Sequence, residues 1–273
     1  MEETNKGYRD FRIAVPKPFQ KIFSHFYFAE NYSDEVITHT SLPSYQTILV
    51  FNFKNRILLH SSKNTQIKIE KCLVFGPVKQ AFKYSMPKNS ELLVVTFKDD
   101  GFYRFFGNAS VAKKIPVNPD TLLEENCFTS LWKELYKIDD VQERINILLE
   151  FCKPFVNQQD SIVEQLNNFS EENVSPIKSI ALDNDQTERS IQLKHKKLLG
   201  YSDKEIKRYE RFIKAIAHIQ NSATTASKID WFEIVDICGY YDQSQLIHDF
   251  NYYLNLSPTK YLKFQQDICN SGS

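Results

Sequence analysis

Residues 230–264 read DWFEIVDICGYYDQSQLIHDFNYYLNLSPTKYLKF. Apolar side chains in the first part recur at the spacing of one face of a short helix: Trp231, Ile234, Val235, and Ile237 or Cys238. Gly239 follows this stripe and can adopt the positive φ of a tight turn, which predicts the end of that helix. Asp242 is then placed as the N-cap of a second helix, predicted from about Gln243 to Leu254.

The predicted second helix has two contrasting faces. Its apolar residues should face the core: Leu246, Phe250 and Leu254, together with Ile247. The other face, near the helix N-terminus, presents Gln243, Ser244, Gln245 and His248. A short helix, a glycine turn and a capped second helix are typical of a helix-turn-helix, whose second helix enters the DNA major groove. Gln and His can read base edges there, and Ser can contact a phosphate or a base.

Several positions of this segment match a known family in register. Residues 239–244 read GYYDQS, and they are followed by Phe250, by LSP at residues 256–258 and by Tyr261. This pattern resembles the second helix-turn-helix of AraC-type transcription regulators. Helical core packing explains Leu246 and Phe250, but it explains neither Asp-Gln-Ser after an aromatic pair nor Leu-Ser-Pro at this distance. The resemblance implies a DNA-binding regulator with two such motifs joined by a long helix.

A first copy of the motif is expected upstream, and the chain supplies its elements. By the resemblance, residues 180–181 belong to its first helix, Thr187 is the N-cap of its second helix, and Ile191 lies in the core. Residues 200–202 (GYS) would form the closing turn. Residues 203–220 would form the helix that joins the two motifs.

This first copy is more divergent than the second. Three of its positions correspond to exposed recognition positions of the family: Arg189, Gln192 and Leu193. Arg189 and Gln192 suit contacts to bases or phosphates. Leu193 stands where the family often has arginine, His195 where a core aromatic residue is common, and residues 184–186 (NDQ) replace an apolar-Gly-apolar turn. The resemblance therefore predicts a degenerate first motif.

Basic residues concentrate between the two motifs. Residues 194–214 carry eight Lys or Arg against three Asp or Glu, whereas the whole chain has a formal net charge of zero. Lys194, Lys196, Lys197 and Arg208 would anchor phosphates, which adds salt-dependent affinity without sequence information. A solvated helix face is the alternative explanation of such a cluster. The DNA-contacting residues predicted by the sequence are Arg189, Gln192, Lys196, Gln243, Ser244, Gln245 and His248.

The N-terminal half has a different pattern. Residues 23–97 contain short aromatic and β-branched runs broken by turn residues: FSHFYFAE, YQTILVFNF, RILLH, TQIKIEKCLVFGP and ELLVVTF. They predict the strands of an antiparallel barrel or sandwich, in which Ile67 and Ile69 share one face. After Asp120 the apolar period becomes helical, and the last of these helices is expected to run from Pro154 to about Phe169.

A chain of 273 residues has room for about two domains. The predicted fold class is α+β, with an N-terminal antiparallel β cupin-like domain and flanking helices over residues 1–168. A polar linker is expected at residues 169–174, and a C-terminal all-α double helix-turn-helix domain over residues 175–273. The cupin-like domain is implied by the resemblance, because AraC-type proteins often carry such a barrel for sensing and dimerisation. The expected partners are therefore double-stranded DNA, a small-molecule effector and a second copy of the chain.

Aromatic residues of the strands allow a ligand cavity, although core packing is the preferred explanation for each of them: Phe26, Tyr27, Phe28, Tyr45, Phe51, Phe53, Phe75, Phe82 and Tyr84. His25, His39 and His60 are isolated, without the H-x-H pair that a metal-binding cupin needs. The sequence has no nucleophile elbow, Walker loop or dinucleotide fingerprint. We therefore expect no metal, no other cofactor and no enzymatic activity.

The five cysteines are scattered without C-x-x-C spacing, which predicts reduced and mostly buried thiols: Cys72, Cys127, Cys152, Cys238 and Cys269. The N-terminus is polar, and no stretch approaches the ~18 apolar residues of a membrane span, so a cytoplasmic location without membrane contact is expected. The predicted function is that of a sequence-specific DNA-binding transcription regulator. The alternatives are a protein-interaction module that retains the fold without reading DNA, and a metal-dependent cupin enzyme.

Overall fold

The computed structural model describes residues 7–60, 66–107, 116–123, 125–156, 159–170, 174–224 and 229–263. The chain forms two compact units, Met1–Val78 with Phe82–Ser202 and Lys79–Ala81 with Asp203–Ser273. This division falls after the first predicted helix-turn-helix, whereas the expected linker at 169–174 precedes it; residues 171–173 of that linker lie outside the described residues. The role of residues 169–174 as the border of a separate DNA-binding domain stays a prediction.

In its described residues, the first unit begins with nine strands, which form two antiparallel sheets. The strands are β1 (Tyr8–Ile13), β2 (Phe23–Asn31), β3 (Ile37–Ser41), β4 (Ile48–Asn52), β5 (Ile57–His60), β6 (Gln66–Ile69), β7 (Cys72–Phe75), β8 (Phe82–Met86) and β9 (Ser90–Phe97). One sheet has the order β1-β2-β9-β4-β7 and the other the order β3-β8-β5-β6. Strand β2 pairs with β9, β3 with β8, β4 with β7 and β5 with β6, all antiparallel. This nested pairing is the jelly-roll topology of cupins, so the predicted cupin-like fold is confirmed.

The sequence pattern explains these strands to different degrees. In β6, Ile69 is buried and Ile67 is half-buried, while Gln66 and Lys68 are exposed, as the alternation predicts. Strand β9 lies inside its sheet between β2 and β4, and seven of its eight residues are buried, as in strands covered on both faces. Strands β1, β3 and β8 were not among the predicted runs, because polar residues interrupt their apolar pattern.

Helices follow the sheets in the first unit: α1 (Gly101–Phe106), α2 (Asp120–Leu123), α3 (Cys127–Leu135), α4 (Val141–Cys152) and α5 (Ser161–Asn168). Phe128 and Leu148 of these helices join Phe51 of β4 in one apolar core. The prediction that a helix begins at Pro154 is wrong. Pro154 lies in a single 3₁₀ turn, and α5 begins only at Ser161, where the Asp160 side chain accepts a hydrogen bond from the backbone N–H of Ile162 (2.9 Å).

The remaining helices are α6 (Pro176–Asp183) and α7 (Glu188–Leu199) in the first unit, and α8 (Asp203–Thr224), α9 (Trp231–Cys238) and α10 (Gln243–Leu254) in the second. Helix α6 contacts α5 and α7, and α7 contacts α1 and α5. These contacts explain why the first helix-turn-helix belongs to the same compact unit as the jelly roll. Among the described helices, none is both long and apolar enough to cross a membrane.

Candidate nucleic-acid interface

The second helix-turn-helix has the predicted turn. Helix α9 begins after Asp230, whose side chain accepts hydrogen bonds from the backbone N–H groups of Phe232 (2.9 Å) and Glu233 (3.4 Å). It ends at Gly239, which has a φ of 75°. The N–H of Tyr240 then donates to the carbonyl of Val235 at 2.9 Å, which closes the helix in the manner of a Schellman cap.

Helix α10 begins where the sequence places it. The side chain of its N-cap Asp242 accepts a hydrogen bond from the backbone N–H of Gln245 at 2.8 Å. In return, Oε1 of Gln245 accepts from the backbone N–H of Tyr241 at 2.9 Å. These two bonds resemble a capping box, in which two otherwise unsatisfied amides at the helix start are both bonded. One of the two lone pairs of the Gln245 side-chain carbonyl is therefore already used.

The two faces of α10 are largely those predicted. Leu246 and Phe250 are buried, as is Tyr253. The expectation that Ile247 belongs to the core is wrong, because 43% of this residue is exposed. The buried face of α10 includes Asp249, which is 1% exposed, as well as Leu246 and Phe250. The inner face is therefore turned towards Asp249, and Ile247 lies outside it. The outer face consists of Ser244, Ile247, His248 and Asn251, all exposed.

Asp249 is held by two arginines of α8. Its Oδ1 accepts from Nε of Arg208 at 2.6 Å, and its Oδ2 accepts from Nη2 of Arg211 at 3.3 Å. A buried carboxylate needs such partners, because its desolvation is otherwise unfavourable. The sequence analysis did not find this cluster. The one available signal was an acidic residue three positions after Leu246, inside an otherwise apolar stripe.

A groove of about 460 Å³ lies on the second unit beside α10. Its lining residues come from the first half of α8 and from the outer part of α10: Asp203, Lys204, Lys207, Arg208, Arg211, Gln245, His248 and Asp249. Four of these side chains are cationic and two are acidic, so the groove carries an excess of positive charge. Such a surface suits an anion such as a DNA phosphate.

The predicted DNA-contacting residues of α10 differ in accessibility. Ser244 and His248 are exposed, and the side chain of His248 is 73% exposed. Gln243 and Gln245 are half-buried. Nothing in the geometry of these four residues tests whether they touch DNA, and their role stays a prediction.

The first helix-turn-helix is also formed. Thr187 caps α7 by accepting a hydrogen bond from the backbone N–H of Ser190 at 3.2 Å, and Ile191 is fully buried. Helix α7 ends at Gly200, which has a φ of 80°. His195 fills the position of the expected core aromatic residue: it is 5% exposed, and its Nδ1 lies 2.8 Å from the carbonyl oxygen of Tyr201.

The predicted contact residues of α7 share an exposed face. Arg189, Gln192 and Lys196 are exposed and are spaced three and four positions apart. Leu193 lies beside them and is 60% exposed. An apolar side chain can contact a thymine methyl but cannot bond to a base edge or a phosphate. This face therefore offers fewer polar contacts than the family pattern implies.

Several cations of the basic stretch 194–214 already have partners within the protein. Lys194 pairs with Asp160 at 3.2 Å, Lys207 pairs with Asp203 at 3.0 Å, and Arg208 and Arg211 bind Asp249 as described. Lys214 donates to the carbonyl of Ile237 at 2.5 Å. Much of the formal charge of this stretch thus stabilises the fold. Only part of it is available to an anionic ligand.

The histidines of the first unit do not converge. His25 contacts Ser24 (3.0 Å), His60 contacts Ser85 (2.7 Å), and the ring of His39 lies against aromatic neighbours. In the described part of the chain, no three His, Cys, Asp or Glu side chains are grouped as metal ligands would be.

The cysteines match the expected thiols. Cys72, Cys152 and Cys238 are buried and Cys127 is half-buried, and all four are free; Cys269 lies outside the described residues. Burial raises the pKa of the Cys72 thiol to about 12. These thiols are thus protonated at neutral pH and poorly reactive.

No family model and no curated protein matches this sequence. Among solved structures, ToxT from Vibrio cholerae shares 13% sequence identity with it at a TM-score of 0.40, over 95% of this chain and 98% of that chain. A ToxT structure with bound unsaturated fatty acid shares 12% identity at 0.36, over 96% and 97%. An RmlC-like cupin protein from Desulfovibrio desulfuricans shares 9% identity at 0.27, over 36% of this chain and 88% of that chain. TM-scores this low assign neither a function nor a ligand to the chain.

Proposed function

We propose that this chain is a sequence-specific DNA-binding transcription regulator of the AraC type, with α10 as the main recognition helix. The proposal is carried by one observation. Helix α10 is capped at Asp242, follows a left-handed glycine turn, and keeps Ser244, Ile247 and His248 exposed. A helix of this kind can enter a major groove with its outer face towards the bases.

The surroundings of α10 support this assignment. The cationic groove beside it can bind a phosphate while the outer face of the helix meets base edges, and specific recognition needs both kinds of contact. Ser244 and His248 can bond to bases, and Ile247 can pack against a thymine methyl. Helix α7, with exposed Arg189 and Gln192, is proposed as a secondary contact.

The proposal predicts that the full chain selects a DNA sequence from a random double-stranded pool. Changing Ser244 to Glu should then lower the affinity for the selected site by about tenfold, because the new carboxylate would face DNA phosphates. Glutamate in the first turn of a helix is compatible with folding. Gel shifts at several salt concentrations measure the affinity.

The matched control is Thr259→Glu, which adds the same charge at an exposed residue outside α10. Its affinity should stay close to that of the parent chain. If no sequence is enriched, or if both variants bind as the parent does, the proposal is refuted. A protein-interaction module that retains the fold would then be the better explanation.

We further propose that the jelly roll senses a small effector and mediates dimerisation. In support of a ligand site, two half-buried tyrosines lie against an imidazole with an unsatisfied nitrogen, and a third tyrosine is bonded to one of them. The hydroxyls of Tyr8 and Tyr27 lie 3.2 Å apart, and the ring of His39 lies 4.7 Å from that of Tyr8 and 5.4 Å from that of Tyr84, between ring centroids. Nε2 of His39 is buried without a hydrogen-bond partner. A ligand screen that follows affinity for the selected DNA site tests this part, and a screen without any responsive compound contradicts it.

A further inference from the structure

Two side chains of α10 have already committed part of their hydrogen-bonding capacity within the protein. Gln245 and His248 lie three positions apart and both line the cationic groove. What each of them can offer a ligand is decided by the bonds it already makes.

The tautomer of His248 follows from its contact with Arg208. Nδ1 of His248 lies 3.0 Å from Nη2 of Arg208. A guanidinium has five N–H donors and no acceptor, so Nδ1 must accept and carries no proton. The carboxylate of Asp249 is 4.0 Å from Nδ1, too far for a hydrogen bond that would require a proton there. The neutral ring therefore carries its proton on Nε2.

The position of Arg208 is set by further contacts. Its Nε donates to the buried Asp249 at 2.6 Å, and its guanidinium carbon lies 4.4 Å from the ring centroid of Tyr252. These contacts orient the guanidinium and, through it, the imidazole of His248. Among the described residues, none accepts a hydrogen bond from Nε2. His248 thus offers a single donor to a ligand.

Gln245 also makes a hydrogen bond within the protein that limits what it can offer a base. Its Oε1 accepts from the backbone N–H of Tyr241 at 2.9 Å, next to the cap formed by Asp242. A glutamine that reads adenine uses both its carbonyl and its amide N–H groups. Here the carbonyl would have to accept from adenine and from Tyr241 at once, with the second of its two lone pairs. Contacts to guanine need only the amide N–H groups and leave the cap as it is.

We propose that α10 selects guanine in its DNA site, with Nε2–H of His248 donating to N7 and the side-chain amide of Gln245 donating to O6. Guanine presents two acceptors in the major groove, O6 and N7, which match a surface of donors. Cytosine presents a donor, adenine combines a donor with an acceptor, and thymine has one acceptor beside a methyl group. This inference rests on the proposed function, and it adds the base that the recognition helix favours and the two side chains that would donate to its acceptors.

The experiment uses the full chain and its selected DNA site. Each guanine is replaced in turn by 7-deazaguanine, which lacks the N7 acceptor and retains base pairing. At one guanine the replacement should weaken binding by about tenfold. In His248→Ala, binding to the natural site should fall by a similar factor, and the replacement should cause no further loss. Because the His248 side chain is 73% exposed, this variant should fold.

Lys204→Ala is the matched control, since Lys204 lines the same groove and is exposed. It should weaken binding to the natural and the substituted site by equal factors, as expected for a phosphate contact. If every 7-deazaguanine site binds as tightly as the natural one, or if the penalty persists in His248→Ala, the inference is overturned while the proposed function stands. If the chain selects no site at all, the proposed function itself fails.

Discussion

Arg144 and Glu91 form a buried ion pair in the first unit, with side chains that are 2% and 5% exposed. Nε of Arg144 also donates to the carbonyls of Leu135, the last residue of α3 (3.0 Å), and of Ile138, just beyond that helix (2.6 Å). The second oxygen of Glu91 lies 2.7 Å from Nζ of Lys54. Since a buried charge is costly without its partner, this network makes α3, α4 and β9 depend on one another.

Removing one member of this pair should be strongly destabilising. We expect Arg144→Met to lower the free energy of unfolding by about 3 to 5 kcal/mol, because Glu91 would stay buried without its main partner. Combining it with Glu91→Leu should cost less than the sum of the two single changes, because no buried charge is then left. Urea unfolding of the three variants measures this. Additive losses would contradict the coupling.

Three of the four helices of the two helix-turn-helix motifs end at residues in the left-handed region, and α6 does not. Gly200 ends α7 with a φ of 80°, Gly239 ends α9 with a φ of 75°, and Asn255 ends α10 with a φ of 56°. A Cβ added at Gly239 would meet no atom within 4 Å. The requirement for glycine at this turn is therefore conformational and does not come from packing.

Gly239→Ala should lower the free energy of unfolding by about 1 to 2 kcal/mol, the cost of a left-handed conformation for a residue with a Cβ. Gly239→Asn should cost less, because asparagine tolerates this region, as Asn255 does. Thermal unfolding measures both variants. Gly107→Ala should cause a similar loss, because Gly107 ends α1 with a φ of 70° in equally open space. If Gly239→Ala is as stable as the parent chain, the left-handed conformation is not what requires glycine there.

Across the whole molecule, 34 basic and 34 acidic residues cancel, so affinity for DNA has to come from the placement of charge. We expect two partly buried histidines, His25 and His39, to lower the stability of the chain in acid. Burial lowers the pKa of His39 below its ordinary value of 6.5, although the carboxylate of Asp10 acts in the opposite direction. Burial also lowers the pKa of His25, and the nearby positive charge of Arg12 adds to this effect.

The lowered pKa of His39 should make the folded chain less stable in acid. Because the folded pKa of His39 is lower than the unfolded one, the unfolded chain binds more protons, and stability falls as the pH drops below about 6.5. His39→Phe, which keeps a ring between Tyr8 and Tyr84, should reduce this slope by up to about 1.4 kcal/mol per pH unit. Unfolding measured between pH 7.5 and pH 5 (on the order of two units around the ordinary pKa) tests it. An unchanged slope would show that His39 takes no part.

Local sequence was sufficient for the turn and the cap of the second motif. Gly239 and Asp242 lie where capping and turn chemistry predict them, and α10 has the predicted bounds Gln243–Leu254; Thr187 and Gly200 lie where the family resemblance places the cap and the closing turn of the first motif. Capping and turn chemistry involve residues only a few positions apart, so a single segment contains the information. The same holds for the alternation that predicted β6 and for the helical period after Asp120.

Long-range contacts account for what the sequence pattern missed. The jelly-roll pairing joins strands far apart in the chain, and β1, β3 and β8, whose apolar pattern is interrupted by polar residues, are recognisable only through their partners. Asp249 is buried on a predicted core stripe only because Arg208 and Arg211, about forty positions earlier, reach it. The same Arg208 sets the proton position of His248. A residue pattern lists the donors and acceptors of each side chain, but only folding determines which of them remain free, because the partners that satisfy the others come from distant segments.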